Sequence, residues 1–352
     1  MLRILARRSR DVRYFTEDPA RELDGVRAGG PGWWLRGGGD TRDARVVGDV
    51  LTGSARADVV GYDVVIAAPR PVSVVLALDE AAAPGIIAAH RVSVAAAMTY
   101  LEERSLLVRT QLAGEQFAFA ARWESVVGFT HGVNRHGEPH LHDHVLVGAR
   151  PALEDTVLER RSFQAHALAA DALYLASLRH EVNARTTWRA WRSFYGHEHV
   201  VGVDEGYRVL WGGHHDDRGE KVHWSREDAR SAWDADLARY VPEVAPRVPS
   251  REFDAHAYHG AFEGLVRVTR RDVVAAWAHA SVFGARATDI ESHVSRLAPE
   301  LSRERGVYET SISVVDARTM ALTRTREDAP VRSRAGARQR EFPSREISER
   351  SR

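Results

Sequence analysis

The chain has 352 residues, 44% of them hydrophobic, and its 49 basic and 49 acidic side chains cancel to a formal charge of zero; that is a soluble globular composition with material for a real core, in one large domain or two smaller ones. It contains no cysteine, which excludes disulfides and thiolate ligands, so any transition-metal site has to be built from histidine and carboxylate. The longest apolar stretches, such as 59–68 and 72–78, fall short of the roughly 20 residues that span a bilayer, and the charged start Met-Leu-Arg-Ile-Leu-Ala-Arg-Arg is unlike a signal peptide, so a cytoplasmic setting without membrane attachment is expected.

Residues 2–16 read as a strand or extended arm turning into a helix, and Tyr14 is the only tyrosine before Tyr62. Next comes Gly29-Gly-Pro-Gly-Trp33-Trp34-Leu-Arg-Gly-Gly-Gly-Asp40, a glycine-rich loop with two readings: indoles that stack on unpaired bases, or plugs over the core. Residues 59–78 read as a strand, a Pro69-Arg70-Pro71 turn and a further strand. Asp63 lies among apolar neighbours in the first of these, where an unpaired carboxylate is costly, so it needs a partner. Residues 80–109 carry Ile86, Ile87, His90, Val94, Ala97, Met98 and Leu101 at helical spacing. Two strands follow, 106–110 merging into Phe117-Ala-Phe-Ala-Ala.

The most informative stretch runs from Phe129 to Gly148. Trp123 to His131 alternates like a strand, Asn134-Arg-His-Gly-Glu-Pro139 is turn chemistry, and His142-x-His144 runs into Val145-Leu146-Val147, so the stretch predicts an antiparallel hairpin. Side chains two apart share a face, and the hairpin brings His131 beside His142 and His144. Three neutral imidazoles with open positions beyond them suit a catalytic divalent metal rather than a closed structural one; the competing reading is a solvated histidine-rich loop. His136 and His140 are assigned to the turn.

Further on, 157–161 reads as a short strand, and a long alanine-rich helix is expected from Ser162, its cap, through Ala184, with Arg179, His180 and Arg185 on the solvated face. His214-His215-Asp216-Asp217 sits in turn composition and reads as an exposed hairpin tip rather than a second metal site. Amphipathic helices are expected over 225–240, over 269–281 with Thr269 as cap, and over 289–297. The last segment, 321–352, holds nine arginines and little apolar content, as a disordered basic tail does. Lys221 is the only lysine; the zero net charge does not exclude nucleic acid, because a local groove of arginines binds phosphates while acidic helices balance the sum.

Phe129-x-His131, Arg135 and Glu138-Pro139-x-Leu141-His142-x-His144-Val145 together resemble the metal motif of conjugative relaxases of the TrwC/TraI type, a branch of the HUH endonucleases. Gly61-Tyr62-Asp63 through Pro69-Arg70-Pro-Val-Ser73 and Ala89-His90-Arg resemble two further blocks of that family, in the same order, and the resemblance extends to about residue 215. It implies an α/β fold, mainly an antiparallel sheet flanked by helices, as a relaxase domain over 1–245; beyond it the amphipathic helices read as a small helical extension over 246–320.

It also implies the site: Tyr14, followed by Phe15-Thr-Glu17-Asp18, as the nucleophile, Asp63 beside the metal histidines as orienting group or general base, and His131, His142 and His144 around Mg, Mn or Zn. Arg70 and Arg135 are candidate contacts to the DNA backbone, with plain surface exposure as the competing reading, and Trp33 and Trp34 are candidate base contacts. The implied function is nicking and religation of one DNA strand at a transfer origin, presented single-stranded or as a hairpin, through a 5′-phosphotyrosyl link. The family's second pair of tyrosines is lacking, which puts in doubt two successive attacks in one site. The chain has no P-loop, so a separate helicase and a coupling protein are the implied partners. The alternatives are an origin-binding remnant that no longer cuts, a rolling-circle replication initiator, and an unrelated three-histidine hydrolase or oxygenase.

Overall fold

The computed structural model describes residues 1–16, 32–51, 59–112, 114–149, 157–193, 195–211, 224, 226–240, 247–302, 311–313, 316–318 and 320. Glu17, Asp18, the 214–217 cluster and the arginine-rich tail lie outside the described residues.

In chain order the first elements are β1 (Leu2–Arg7), the four-residue α1 (Arg13–Thr16), β2 (Trp33–Arg36), α2 (Ala44–Asp49), β3 (Gly61–Ala67), α3 (Arg70–Leu78) and α4 (Ala83–Ser105). Then come β4 (Leu107–Leu112), β5 (Glu115–Ala120), β6 (Val126–Val133), β7 (Pro139–Gly148), β8 (Val157–Leu158), α5 (Arg160–Ala165) and α6 (Ala167–Arg185). The remainder comprises β9 (Ala190–Arg192), β10 (Glu198–Val200), α7 (Tyr207–Trp211), α8 (Arg226–Leu237), α9 (Ala255–Gly260), β11 (Arg267–Thr269), α10 (Arg270–Ala280), α11 (Ala287–Leu297) and β12 (Ser311–Ser313).

The central sheet has five strands in the order β1-β3-β7-β6-β2, every neighbouring pair antiparallel. Its two faces divide the chemistry. Along β7 the odd residues Pro139, Leu141, Asp143 and Val145 are buried, while His140, His142 and His144 alternate with them, as the two-residue period of a strand requires. The odd face packs on α4 and α6, where Leu141, Val145, Val64 and Ile66 meet Ile86, Met98 and Leu173 in the main core. On the other face a small separate cluster of Val12, Phe15, Val47, Val50, Leu51, Val127, Phe129 and Leu146 seats α1 and α2. Among the described residues, 80–105 is long and apolar enough to cross a membrane; here Ile86, Val94, Met98 and Leu101 are spent in the core against α6.

Four local expectations are corrected. Residues 70–78 form helix α3 rather than a second strand: Pro71 occupies its first turn, where a missing N–H is harmless, and Pro71 through Ala77 are all buried, so the run has no exposed face to reveal its period. Trp33 and Trp34 lie in edge strand β2 rather than a loop, because Trp33 pairs with Gly128, where a β-carbon would stand 2.5 Å from the indole. Ser162 is not a cap: Glu159 accepts from the Arg161 N–H to start α5, and the chain turns at His166 before α6. Arg179 is not solvated but 2% exposed, its guanidinium bound to Glu198 at 2.7 Å and to the carbonyls of Ala278 and Ser281 at 2.9 and 3.0 Å. Those carbonyls close the end of α10, which lies along α6 and begins, as expected, at Thr269 in a reciprocal capping box with Asp272.

Candidate metal centre and nucleophile

In the β6–β7 hairpin His131 pairs directly with His142, and Phe129 with His144. The three rings form a near-equilateral group, with centroids 5.1, 5.2 and 5.4 Å apart, and one ring nitrogen from each lies within 4.8 Å of the others. On His142 and His144 the outer nitrogen is committed elsewhere. His142 Nδ1 donates to the carbonyl of His140 at 2.8 Å, and His144 Nδ1 donates to both oxygens of Asp63 at 2.9 and 3.0 Å. Each bond fixes the tautomer that leaves Nε2 with a bare lone pair, the form a metal needs. Desolvation, helped by the charges of His140, His131 and His144, holds His142 well below the usual imidazole range and so neutral. A borderline divalent cation fits this donor set.

Asp63 reaches His144 because β3 pairs with β7 so that Val65 opposes His144 and Asp63 opposes Leu146, placing the carboxylate two residues along on the same face. The partner expected for this buried acid is therefore the His144 ring, with the guanidinium of Arg7 of β1 a further neighbour at 4.0 Å. Arg7 also lies over the Phe15 ring at 5.3 Å.

Helix α1 delivers Tyr14. Phe15 stacks on Phe129 at 5.1 Å in the small core and lies 5.2 Å from the His144 ring, which leaves Tyr14 turned outward, 38% exposed. Its ring meets His131 and His144 edge-on at 5.9 and 6.1 Å. Three distant stretches of the chain, around Tyr14, Asp63 and the 131–144 hairpin, thus place a phenol, a carboxylate and three imidazoles on one sheet face.

The remaining predicted residues are placed differently. Arg70, at the start of α3, donates to the Pro139 carbonyl at 2.9 Å and pairs with Glu138 at 3.3 Å, tying down the entry to β7. Arg135 is exposed in the hairpin turn, whose backbone is held by Trp224 and Trp233 through the carbonyls of Arg135 and Gly137. Trp34 packs on the small core, on the metal face. Trp33 lies on the opposite face, its Nε1 donating to Asp143 at 2.7 Å. His140 belongs to β7 rather than the turn, with its pKa lowered to about 4 by burial and by the charge of Arg70. Two groups were missed: Phe15, whose role as anchor of the Tyr14 helix has no signature in sequence, and Asp143, which strand alternation alone sends to the face behind the metal ligands.

The model of the TrwC relaxase family matches residues 12–211. No curated protein sequence matches. Among solved structures, a copper-bound conjugative relaxase TrwC in complex with oriT DNA aligns with a TM-score of 0.55 at 20% identity, covering 68% of this chain and 98% of that one. The metal-free TrwC–oriT complex gives 0.53 at 20%, with the same coverage. TrwC complexed with a 27-mer DNA comprising the recognition hairpin and the cleavage site gives 0.52 at 20%, again over 68% and 98% of the two chains. At this identity the structures establish a shared fold, and with more than half of the sequence matched by the family model the conclusion is that this chain belongs to the TrwC relaxase family.

Proposed function

We propose that the chain nicks one strand of DNA at a transfer-origin site and religates it, by metal-dependent transesterification through Tyr14. The observation that carries this reading is the edge-on packing of Tyr14 against two of the three convergent imidazoles. His131, His142 and His144 would hold a divalent ion, which when bound neutralises charge developing on the scissile phosphate. The Tyr14 oxygen attacks phosphorus as the P–O3′ bond breaks, giving a 5′-phosphotyrosyl link and a 3′-oxyanion that takes a proton from water to become a free 3′-hydroxyl. We assign the phenol proton to Asp63, which already orients His144. The new ester conserves the energy of the old one, so the 3′-hydroxyl reverses the step. Trp34 and Arg135 are the best-placed DNA contacts of the four expected; Arg70 acts through the hairpin it braces. Relatives solved with oriT DNA, one with its cleavage site, support this substrate. A helicase and a coupling protein complete the proposed process.

The test is to mix the protein and Mg²⁺ or Mn²⁺ with labelled single-stranded oligonucleotides tiled from its genetic neighbourhood. A denaturation-resistant adduct, absent in Tyr14→Phe, is expected. Tight binding without an adduct in the wild type would favour the origin-binding remnant, and neither binding nor adduct would overturn the reading.

A further inference from the structure

Behind the metal face lies a second polar constellation. Asp143 sits between the two β7 ligands in sequence, is fully buried, and opposes Thr130, the neighbour of His131, across the hairpin. Its carboxylate accepts from Trp33 Nε1 at 2.7 Å and from His90 Nε2 at 3.1 Å, and Thr130 adds a side-chain hydrogen bond. The other nitrogen of His90 meets the Tyr174 hydroxyl at 2.7 Å. Arg91, the next residue of α4, donates to Thr130 Oγ1 at 3.0 Å. Helix α4 therefore grips β7 and β6 at the two residues directly behind the His131–His142 pair, and α6 braces that grip through Tyr174.

A carboxylate is an acceptor only, so His90 Nε2 is the donor to Asp143, while Nδ1 meets the Tyr174 hydroxyl and its proton. Burial, with the charge of Asp143, raises Tyr174 well above the ordinary phenol range and keeps that proton in place.

A stability argument does not explain this arrangement, because an apolar residue of similar size at such a position is commonly as stabilising as a buried ionic group. What an apolar residue lacks is direction: a carboxylate with three oriented donors defines the position of one strand segment in a way that dispersion contacts do not. We infer that Asp143 is a positioning residue, held by His90, Trp33 and Thr130, that fixes the convergence of the three metal-ligand imidazoles from the opposite face of the sheet. The inference rests on the metal reading of that triad.

The test is titration with Co²⁺, read by the visible d–d absorption of the bound ion, on wild type, Asp143→Asn, Tyr174→Phe and His142→Ala. Wild type is expected to bind, and His142→Ala to lose binding. Asp143→Asn is expected to bind about 10- to 100-fold more weakly, the range for a group supporting a ligand, with a displaced spectrum at saturation that a merely structural role would not produce. Tyr174→Phe, which removes only the outermost link, shifts both readouts the same way by less. Asp143→Asn that is folded by circular dichroism, with wild-type affinity and spectrum, overturns the inference. Should Asp143→Asn fail to fold, Tyr174→Phe decides by the same two readouts, a wild-type result overturning. Wild type that binds no Co²⁺ overturns the metal reading itself, which is a separate outcome from unchanged binding in the variants.

Discussion

Replacing Asp63 tests how much of the metal centre depends on the strand beside it. Its two oxygens receive the Nδ1 proton of His144 at 2.9 and 3.0 Å, a hydrogen bond to a charged group of the kind worth about 1.5–3 kcal/mol. If that energy is felt by the ligand, at about 1.4 kcal/mol per tenfold, Asp63→Ala weakens metal binding roughly 10- to 100-fold. Asp63→Asn retains one acceptor oxygen and loses the charge, so its effect falls at the lower end, about tenfold. Arg7, 4.0 Å from the carboxylate, keeps its position over Phe15 in both variants and does not compensate. The assay is calorimetric titration with Mn²⁺, paired with adduct formation at saturating metal. Loss that saturating Mn²⁺ restores belongs to orientation of His144, and loss that persists belongs to the phenol proton. A folded Asp63→Ala with Mn²⁺ affinity within about twofold of wild type would refute the reasoning.

Gly137→Ala is expected to melt lower by about 1–3 kcal/mol in thermal unfolding, because Gly137 has φ of +77° and a β-carbon there would lie 2.5 Å from Trp224; an unchanged midpoint sinks the claim that the hairpin turn is tightly clamped. His279 of α10 has its pKa lowered to about 3, by burial and then by Arg192 and Arg179. Since the unfolded chain binds that proton near 6.5, stability is fully present above 6.5 and falls as pH drops through the window to about 3, with about 2 kcal/mol lost by pH 5. His279→Gln should flatten the pH dependence of the melting temperature by that amount relative to wild type, and parallel curves would count against it.

Where the sequence carried a period, it carried the fold. Alternation through 123–131 and 139–148 is enough to build the hairpin and pair His131 with His142, and the isolated buried charge of Asp63 already demands a partner close by. Thr269 followed by Asp272 announces the start of α10. The misreadings share one physical cause, burial supplied by distant chain. Helix α3 is covered on every side, so Val72, Val74 and Val75 show neither helical nor strand spacing. Arg179 looks solvated within its own helix until the end of α10, a hundred residues on, caps it with two carbonyls. Trp33 looks like a loop residue because the space it fills is made by a glycine on another strand. Asp143 was within reach of sequence reasoning, since the alternation that sends His142 and His144 to one face sends it to the other.

The seat of Tyr14 has a thermodynamic consequence. Its four-residue helix rests on the small cluster around Phe15 and Phe129, while the strands that carry the imidazoles also contribute to the main core. Regions with few buried contacts open locally at free energies below that of global unfolding. The proposed nucleophile and the proposed cation ligands therefore belong to two units of unequal stability, and amide protection around 12–16 should vanish under conditions that leave β6 and β7 fully protected. On the proposed mechanism, the half of the site that takes up and releases a covalently attached strand is the half built to loosen first, while the half proposed to hold the ion stays rigid.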